Sequence, residues 1–242
     1  MRKRILLLMI FLLLSWGCAA GPPTLYPFAA VNWQTFDTCV NFELPGSWQF
    51  VHIIEITPPG HRTITLMGVV QTDDAPWRIH CALLSLEGLV LFEARWEADE
   101  TTVLRALPPL DKPGFADGLM ADLLFVFMAP DIASQTFAQL KNGTPVCRYV
   151  LKNGEIRDFL TFPNGSWQLL RYAGGTRLAQ TLTVGVPSET GDIITLPAHL
   201  SLKARNIWGD DLSLPVHRTL KTHGLLGYDL VLTLVSADEI SP

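Results

Sequence analysis

Short turn signals at close intervals constrain the fold of this chain more than any other feature of its sequence. Asn153-Gly154, Asn164-Gly165 and Gly174-Gly175 each separate two segments in which apolar and polar residues alternate. Such dipeptides favour the positive φ angles of two-residue β-hairpins. The connections are too short for the crossover helices that parallel strands require. The sequence therefore predicts an antiparallel meander.

The first half of the chain repeats this pattern. The segment 47–57 alternates between two faces, and Pro58-Pro59-Gly60 then predicts a turn. The largely apolar face of this segment comprises Trp48, Phe50, His52, Ile54 and Ile56. Further strands are expected at 63–70, 77–86, 89–97, 102–107, 146–152, 155–162, 166–172, 176–186, 193–204 and 225–235. We therefore expect a mainly β protein with one antiparallel sheet.

A central segment without turn signals interrupts the strands. Its apolar residues follow a helical spacing over 115–128, and Pro130 ends that helix. The helical stripe comprises Phe115, Leu119, Met120, Leu123, Leu124 and Phe127. Asp131 is a candidate cap for a second helix, with Ile132, Thr136, Phe137 and Leu140 on one face and Asn142-Gly143 at its end. The expected fold is thus an open sheet with a central helix pair.

The N-terminus has the features of an export signal. Arg2, Lys3 and Arg4 precede ten uninterrupted apolar residues, Ile5–Leu14, which cover about half of a bilayer core. Cys18 follows Gly17 at the end of this run. The junction resembles the lipobox of bacterial lipoproteins, which implies a signal peptide over 1–17, lipidation of Cys18 and a tether over 18–29. Ordinary secretion is the alternative. No linker divides the remaining chain, so 30–242 is expected to form a single domain.

Charge and cysteine content narrow the class of protein further. The three cations before Cys18 are the only charges there, so the formal charge of −5 becomes −8 beyond that point. An acidic chain without a later basic run is not expected to bind nucleic acid. Cys39, Cys81 and Cys147 permit one disulfide with one thiol left over, whereas the simpler interpretation is three small buried residues.

No constellation in the sequence indicates catalysis. P-loop, GxGxxG, GxSxG and HExxH motifs are missing, and neither a cofactor nor a metal site is expected. His217 and His223 lack a nearby cysteine or carboxylate cluster, and His52 is more simply a buried structural residue. The apolar side chains instead suggest a cavity between the sheet and the helices. The expected lining comprises Trp48, Phe50, Ile54, Leu66, Phe92, Trp96, Phe115, Met120 and Phe127.

The order of these elements, with a late Leu196-Pro197-Ala198-His199-Leu200-Ser201-Leu202 segment, resembles the LolA/LolB lipoprotein-carrier superfamily. The runs Leu84–Phe92, Leu107–Pro109 and Leu119–Leu123 more closely resemble an uncharacterised LolB-like family whose members often accompany aryl-polyene or fatty-acid-type biosynthesis genes. The resemblance implies an open β half-barrel covered by a helical lid. In lipoproteins of enteric bacteria, Asp after the lipidated cysteine causes inner-membrane retention. Ala19 therefore favours the outer membrane.

The expected function is that of a lipid-anchored protein on the periplasmic face of the outer membrane of a Gram-negative bacterium. It would bind an acylated or polyene-like molecule, accept it from a donor such as a periplasmic protein, and aid its delivery or insertion. One alternative is a structural or assembly lipoprotein that binds a protein partner through its sheet edge. A lipid hydrolase is the other alternative, but the required nucleophile–base pair is not evident in the sequence.

Overall fold

The computed structural model describes residues 21–28, 46–58, 60, 62–74, 77–128, 131–163, 166–185, 202–205, 211–214, 217–223 and 227–240. These contain one helix, α1, at Phe115–Phe127. Five strands precede it: β1 Ser47–Thr57, β2 Ile64–Asp74, β3 Trp77–Leu84, β4 Val90–Glu97 and β5 Glu100–Ala106. Nine follow it: β6 Ile132–Gln139, β7 Pro145–Leu151, β8 Ile156–Thr161, β9 Trp167–Ala173, β10 Arg177–Val184, β11 Leu202–Arg205, β12 Asp211–Leu214, β13 His217–Thr222 and β14 Asp229–Ile240.

Twelve of the strands form one open antiparallel sheet in the order β5-β4-β3-β2-β1-β14-β13-β10-β9-β8-β7-β6. The last strand along the chain, β14, lies beside the first, β1, over the full length of β1. Strands β11 and β12 form a separate antiparallel pair. The prediction of one antiparallel sheet is therefore confirmed, and the sheet ends at the unclosed edges β5 and β6.

Contacts of α1 show that the sheet curls around it. Phe115 packs edge-to-face on Phe92 of β4, with 5.1 Å between ring centroids, and the Phe125 ring lies 5.2 Å from the guanidinium carbon of Arg157 in β8. Strands β4 and β8 would be about 38 Å apart in a flat sheet, whereas the ten residues from Phe115 to Phe125 span about 15 Å. Both strands can reach one short helix only if the sheet is strongly curved. We call the face that α1 covers the inner face.

The inner face holds the main hydrophobic core. The predicted alternation of β1 is confirmed, since Trp48, Phe50, His52 and Ile54 are all buried. On the opposite face, a smaller cluster of Ala138, Val146 and Leu160 packs against Leu25 of the N-terminal segment 21–28. Arg148 connects the sheet to this N-terminal segment. It donates to both carboxylate oxygens of the fully buried Asp158, at 2.6 Å, and to the Pro23 carbonyl.

The prediction of a central helix pair that forms a lid over the sheet is wrong. The segment assigned to the second helix is strand β6, which pairs with β7 along its whole length. Its neighbouring residues Phe137 and Ala138 pack on opposite faces of the sheet, against the main core and the smaller cluster respectively. Neighbouring side chains point to opposite faces in a strand, so this alternation is typical of a strand and not of an amphipathic helix. Asn142-Gly143 forms the β6–β7 hairpin turn, with Gly143 at φ 84°, instead of ending a helix.

Candidate functional site

An apolar cavity of about 330 Å³ lies between α1 and the inner face of the sheet. The sheet contributes residues of β1, β2, β3, β13 and β14, and α1 contributes one side of its length. The lining comprises His52, Ile54, Ile56, Pro58, Gly68, Val70, Cys81, Ala82, Leu83, Gly114, Phe115, Gly118, Leu119, Asp122, Leu123, Val126, Phe127, Leu220, Tyr228, Leu230 and Leu232. Its volume is near the lower end of the range for small-molecule pockets.

Two glycines lie in the lining of this cavity. A Cβ at Gly68 of β2 would collide with the end of the Ile54 side chain, so the glycine makes room for Ile54 on the inner face. Gly118 of α1 is exposed, and a Cβ there would meet nothing within 4 Å. Glycine destabilises a helix interior by about 1 kcal/mol relative to alanine. Because Gly118 lines the cavity and is also exposed, it marks the rim where the cavity reaches solvent.

Asp122 anchors α1 to the sheet through hydrogen bonds at one side of the cavity. Its carboxylate accepts one hydrogen bond from the Gln180 side-chain amide of β10 and another from the Tyr228 hydroxyl just before β14. Arg171 donates to the same Gln180 side chain at 2.8 Å. Burial raises the pKa of Asp122 to about 6, although the Gln180 hydrogen bond and the Arg171 charge act in the opposite direction.

A second polar pair lies elsewhere on the inner face. Arg218 of β13 is 7% exposed, and its guanidinium carbon lies 5.4 Å from the centre of the Phe127 ring. His52 of β1 is 2% exposed and contacts the same ring edge-on, at 5.8 Å between centroids. Neither His52 Nε2 nor Arg218 Nε has a hydrogen-bond partner. Burial, with the Arg218 charge as the second cause, lowers the pKa of His52 to about 3.

The structure brings some of the predicted cavity residues together and places others in the solid core. Ile54, Phe115 and Phe127 line the cavity. Trp48, Phe50, Leu66, Phe92 and Met120 are buried without lining it, and Trp96 is partly buried against the same core. The sequence prediction did not include Asp122, Arg218, Tyr228 or Gly118. A lone carboxylate within the apolar stripe of α1 was the available signal for Asp122.

The cysteines described by the structure behave differently from one another. Cys147 is disulfide-bonded, which agrees with the alternative of one disulfide and one remaining thiol, and Cys81 and Cys147 are both buried, as the simpler interpretation expects. Cys81 is a buried free thiol that lines the cavity, and burial raises its pKa to about 12. An apolar pocket thus holds a thiol that stays protonated at neutral pH. The predicted lipidation site, Cys18, and the late Leu-Pro segment 196–201 lie outside the described residues.

Within the described part of the chain, no group of three or more His, Cys, Asp or Glu could hold a metal ion. His217 instead contacts the Thr233 hydroxyl at 3.3 Å, and His223 contacts the Thr181 hydroxyl at 2.9 Å. In the same described ranges, no helix is long and apolar enough to cross a membrane.

Comparison with known proteins shows a likeness in structure and none in sequence. No protein-family model and no curated protein matches the chain. The chain is similar to the crystal structure of a LolA superfamily protein from Nitrosomonas europaea, with 12% sequence identity and a TM-score of 0.45. The alignment covers 83% of this chain and 89% of that one.

Proposed function

We propose that this chain is a non-catalytic carrier of the LolA/LolB type, which holds an acylated or polyene-like hydrophobic molecule and aids its delivery or insertion at the outer membrane. The observation that supports this most directly is the apolar cavity between α1 and the sheet. Burying an apolar tail there would contribute about 25 cal/mol for each Å² removed from water. The cargo is thus selected by its hydrophobic surface.

Delivery by such a carrier needs no chemical step. A ligand moves from donor to carrier to membrane when each successor binds it more favourably, and residues of α1 form one wall of the cavity that would hold it. The Asp122 hydrogen bonds hold that wall against β10 and the start of β14. Cargo release would therefore involve movement of the Gly114–Gly118 rim and not cleavage of a bond.

The proposed anchor is a lipidated Cys18, which would keep the protein at the periplasmic face of the outer membrane, where a periplasmic donor could reach it. Cys18→Ser should abolish labelling by a palmitate analogue, whereas Cys81→Ser, the control, should leave labelling intact. A lipidated Cys18 has no free thiol, and Cys81 is free. The proposal therefore requires Cys39 to be the partner of Cys147. Non-reducing peptide mapping that joined Cys147 to Cys18 would contradict the lipid anchor.

Two substitutions at one position test the cavity. Gly118→Phe would place a ring at the rim, and Gly118→Ala makes the same removal of glycine while adding little volume. Both should stabilise α1, by about 1 kcal/mol for alanine. Only the phenylalanine variant should lose affinity for an uncharged fluorescent probe such as methyl cis-parinarate, by about 10-fold or more.

The two variants separate cavity binding from general hydrophobic adsorption. Equal probe binding by Gly118→Phe, Gly118→Ala and the wild type would show that the probe does not enter the cavity. Mass spectrometry of an organic extract of the purified protein supplies an independent measurement. An acylated or polyene molecule that is present with the wild type and depleted with Gly118→Phe is the expected result.

A sheet-edge interaction with a protein partner is the second candidate, and one observation favours it. Edge strand β5 exposes Val103 and Leu104, at 47% and 53%. Unpaired edge strands are templates for strand addition by another chain. Under this alternative, Leu104→Lys would disrupt a protein complex while probe binding stayed unchanged. Gly118→Phe would leave the complex, and the function that depends on it, unchanged.

A further inference from the structure

Arg218 is the most unusual charged group on the inner face. It is 7% exposed, and among the residues that the structure describes no carboxylate lies within ion-pair distance of it. Two partly buried arginines contrast with it: Arg148 pairs with Asp158 and Arg157 pairs with Glu155. A buried charge without a partner is strongly unfavourable, so the position requires an explanation.

The place of Arg218 on the sheet connects it to the cavity. Its cross-strand partner on β14 is Leu232, and Leu232 is in turn opposite Ile54 of β1. Directly opposed residues project from the same face of an antiparallel sheet. Leu232, Ile54 and Phe127 all line the cavity, and the Arg218 guanidinium lies over the Phe127 ring. Arg218 itself is not among the lining residues, so the unpaired cation lies next to the apolar space, beside Phe127 and Leu232.

We propose that Arg218 binds the anionic head group of the cargo, and that the cargo is a single-chain amphiphile that ends in a carboxylate. This inference rests on the proposed carrier function and specifies its ligand. The guanidinium has a planar fork of N–H donors that matches a carboxylate in a bidentate arrangement. One buried cation balances one negative charge, whereas a phosphate monoester carries about −1.5 to −2 at neutral pH.

The remaining features of the cavity agree with this ligand. His52 Nε2 lies beside the same Phe127 ring without a partner, so a second polar atom is available to an oxygen of the head group. A volume of about 330 Å³ is near the lower limit of ligand pockets and suits one tail better than several. The tail would follow the apolar wall of Leu220, Leu230 and Leu232, and its far end would approach the Gly118 rim.

Paired fluorescent probes test the inference with the full-length protein. cis-Parinaric acid is a single-chain carboxylate, and its methyl ester has the same tail without the charge. The wild type should bind the acid about 10-fold or more tightly than the ester, because charge-assisted hydrogen bonds form only with the acid. Arg218→Gln should bind both probes with the affinity that the wild type has for the ester. Arg177→Gln, which removes an exposed cation, should behave like the wild type.

The ester also reports whether each variant retains an intact cavity. If Arg218→Gln lost ester binding as well, Arg218→Met, which keeps an apolar stem of similar length, would replace it.

Retention of the acid preference by a folded Arg218 variant would overturn the inference, and so would equal binding of acid and ester by the wild type. In both cases ester binding would leave the carrier proposal standing. Failure of the wild type to bind either probe would overturn the carrier proposal itself. Stronger displacement of the probe by dodecyl phosphate than by dodecanoate would overturn the choice of a carboxylate.

Discussion

The two sides of the inner face differ in whether their buried polar groups have hydrogen-bond partners. On the β8–β10 side, the Glu155 carboxylate accepts hydrogen bonds from Arg157 and Arg171, both at 2.7 Å, and Arg171 continues to Gln180. On the β1–β14–β13 side, the wall is apolar around the cavity, and His52 and Arg218 each leave a ring or guanidinium nitrogen without a partner. The paired side holds the fold together, whereas the unpaired side is where we propose that the ligand binds.

Helix α1 connects these two sides. Asp122 extends the paired network from Gln180 to the helix, and Phe127, five residues further on, faces the unpaired Arg218 and His52. The helix is therefore positioned by polar contacts on one side and left adjacent to a void on the other. The difference predicts that substitutions on the paired side cost stability, while substitutions on the unpaired side change ligand binding.

The largest expected effect is at Glu155. Glu155→Gln would keep the shape of the side chain and remove the charge that two arginines share. Glu155 is 7% exposed, so Arg157 and Arg171 would be left with a buried excess of positive charge. Breaking a buried ion pair costs about 3–5 kcal/mol. Denaturant unfolding should show a loss of this size in the free energy of unfolding.

Glu93→Gln is the matched control for this change. Glu93 pairs with His80 at 3.0 Å, but both side chains are about one-third exposed. Exposed pairs contribute about 0–1 kcal/mol. Similar losses for Glu155→Gln and Glu93→Gln would contradict the view that the β8–β10 network holds the fold.

The paired side also shows which parts of the fold the sequence could predict. Asn153-Gly154 marked a hairpin because its turn requires positive φ, and Gly154 has φ 80°. The face of the sheet on which each side chain lies could be predicted from the alternation of apolar and polar residues, as in β1. The segment Ile132–Gln139 was misassigned because its spacing also fits a helix. Pairing with β7 and the added bridge from Tyr26 to Gln139 satisfy its backbone in the sheet, and this tertiary pairing overrides the local pattern.

The unpaired side was harder to predict, for a different reason. An apolar cavity followed from the excess of aromatic and aliphatic residues, and Ile54, Phe115 and Phe127 line it. Arg218 could not be identified because strand β13 was not predicted, and a charged residue in a short polar segment is ordinarily assigned to the surface. Its burial results from the insertion of β13 between β10 and β14, which are far apart in sequence.

The next largest expected effect is on the pH dependence of the free energy of unfolding, through Asp122, which connects the two sides. The pKa of Asp122 is raised by burial to about 6 from an ordinary value of 3.8, so the folded state binds a proton more readily than the unfolded state. The group therefore favours folding at low pH, and this contribution is lost as the pH rises from about 4 to 6. The difference in pKa corresponds to about 3 kcal/mol.

Asp122→Asn removes this titration while an amide occupies the same place. The free energy of unfolding of the variant, minus that of the wild type, should rise by about 2.5 kcal/mol between pH 4 and pH 7 and then stay level. Taking the difference cancels the titration of His52, which both proteins retain. A difference that does not change over this range would show that Asp122 is not held in a desolvated site.

The smallest expected effect belongs to His52, on the unpaired side. Burial and Arg218 lower its pKa to about 3, so the ring is neutral in the folded protein at pH 7.5, and the unfolded chain is also mostly neutral there. Titration therefore contributes little at that pH. His52→Leu would replace a ring with an unpartnered Nε2 by an apolar side chain, and the free energy of unfolding should rise by up to about 1 kcal/mol.

Gln180→Leu makes the corresponding change on the paired side. Gln180 is 5% exposed, donates to Asp122 and accepts from Arg171, so its loss would leave both partners buried and short of a hydrogen bond. We expect this variant to lose about 1–3 kcal/mol in the same pH 7.5 unfolding experiment. Opposite signs for the two leucine substitutions would show that a buried polar side chain stabilises this fold only where it is paired. A loss at both positions would instead assign His52 to the structural network and remove it from the ligand site.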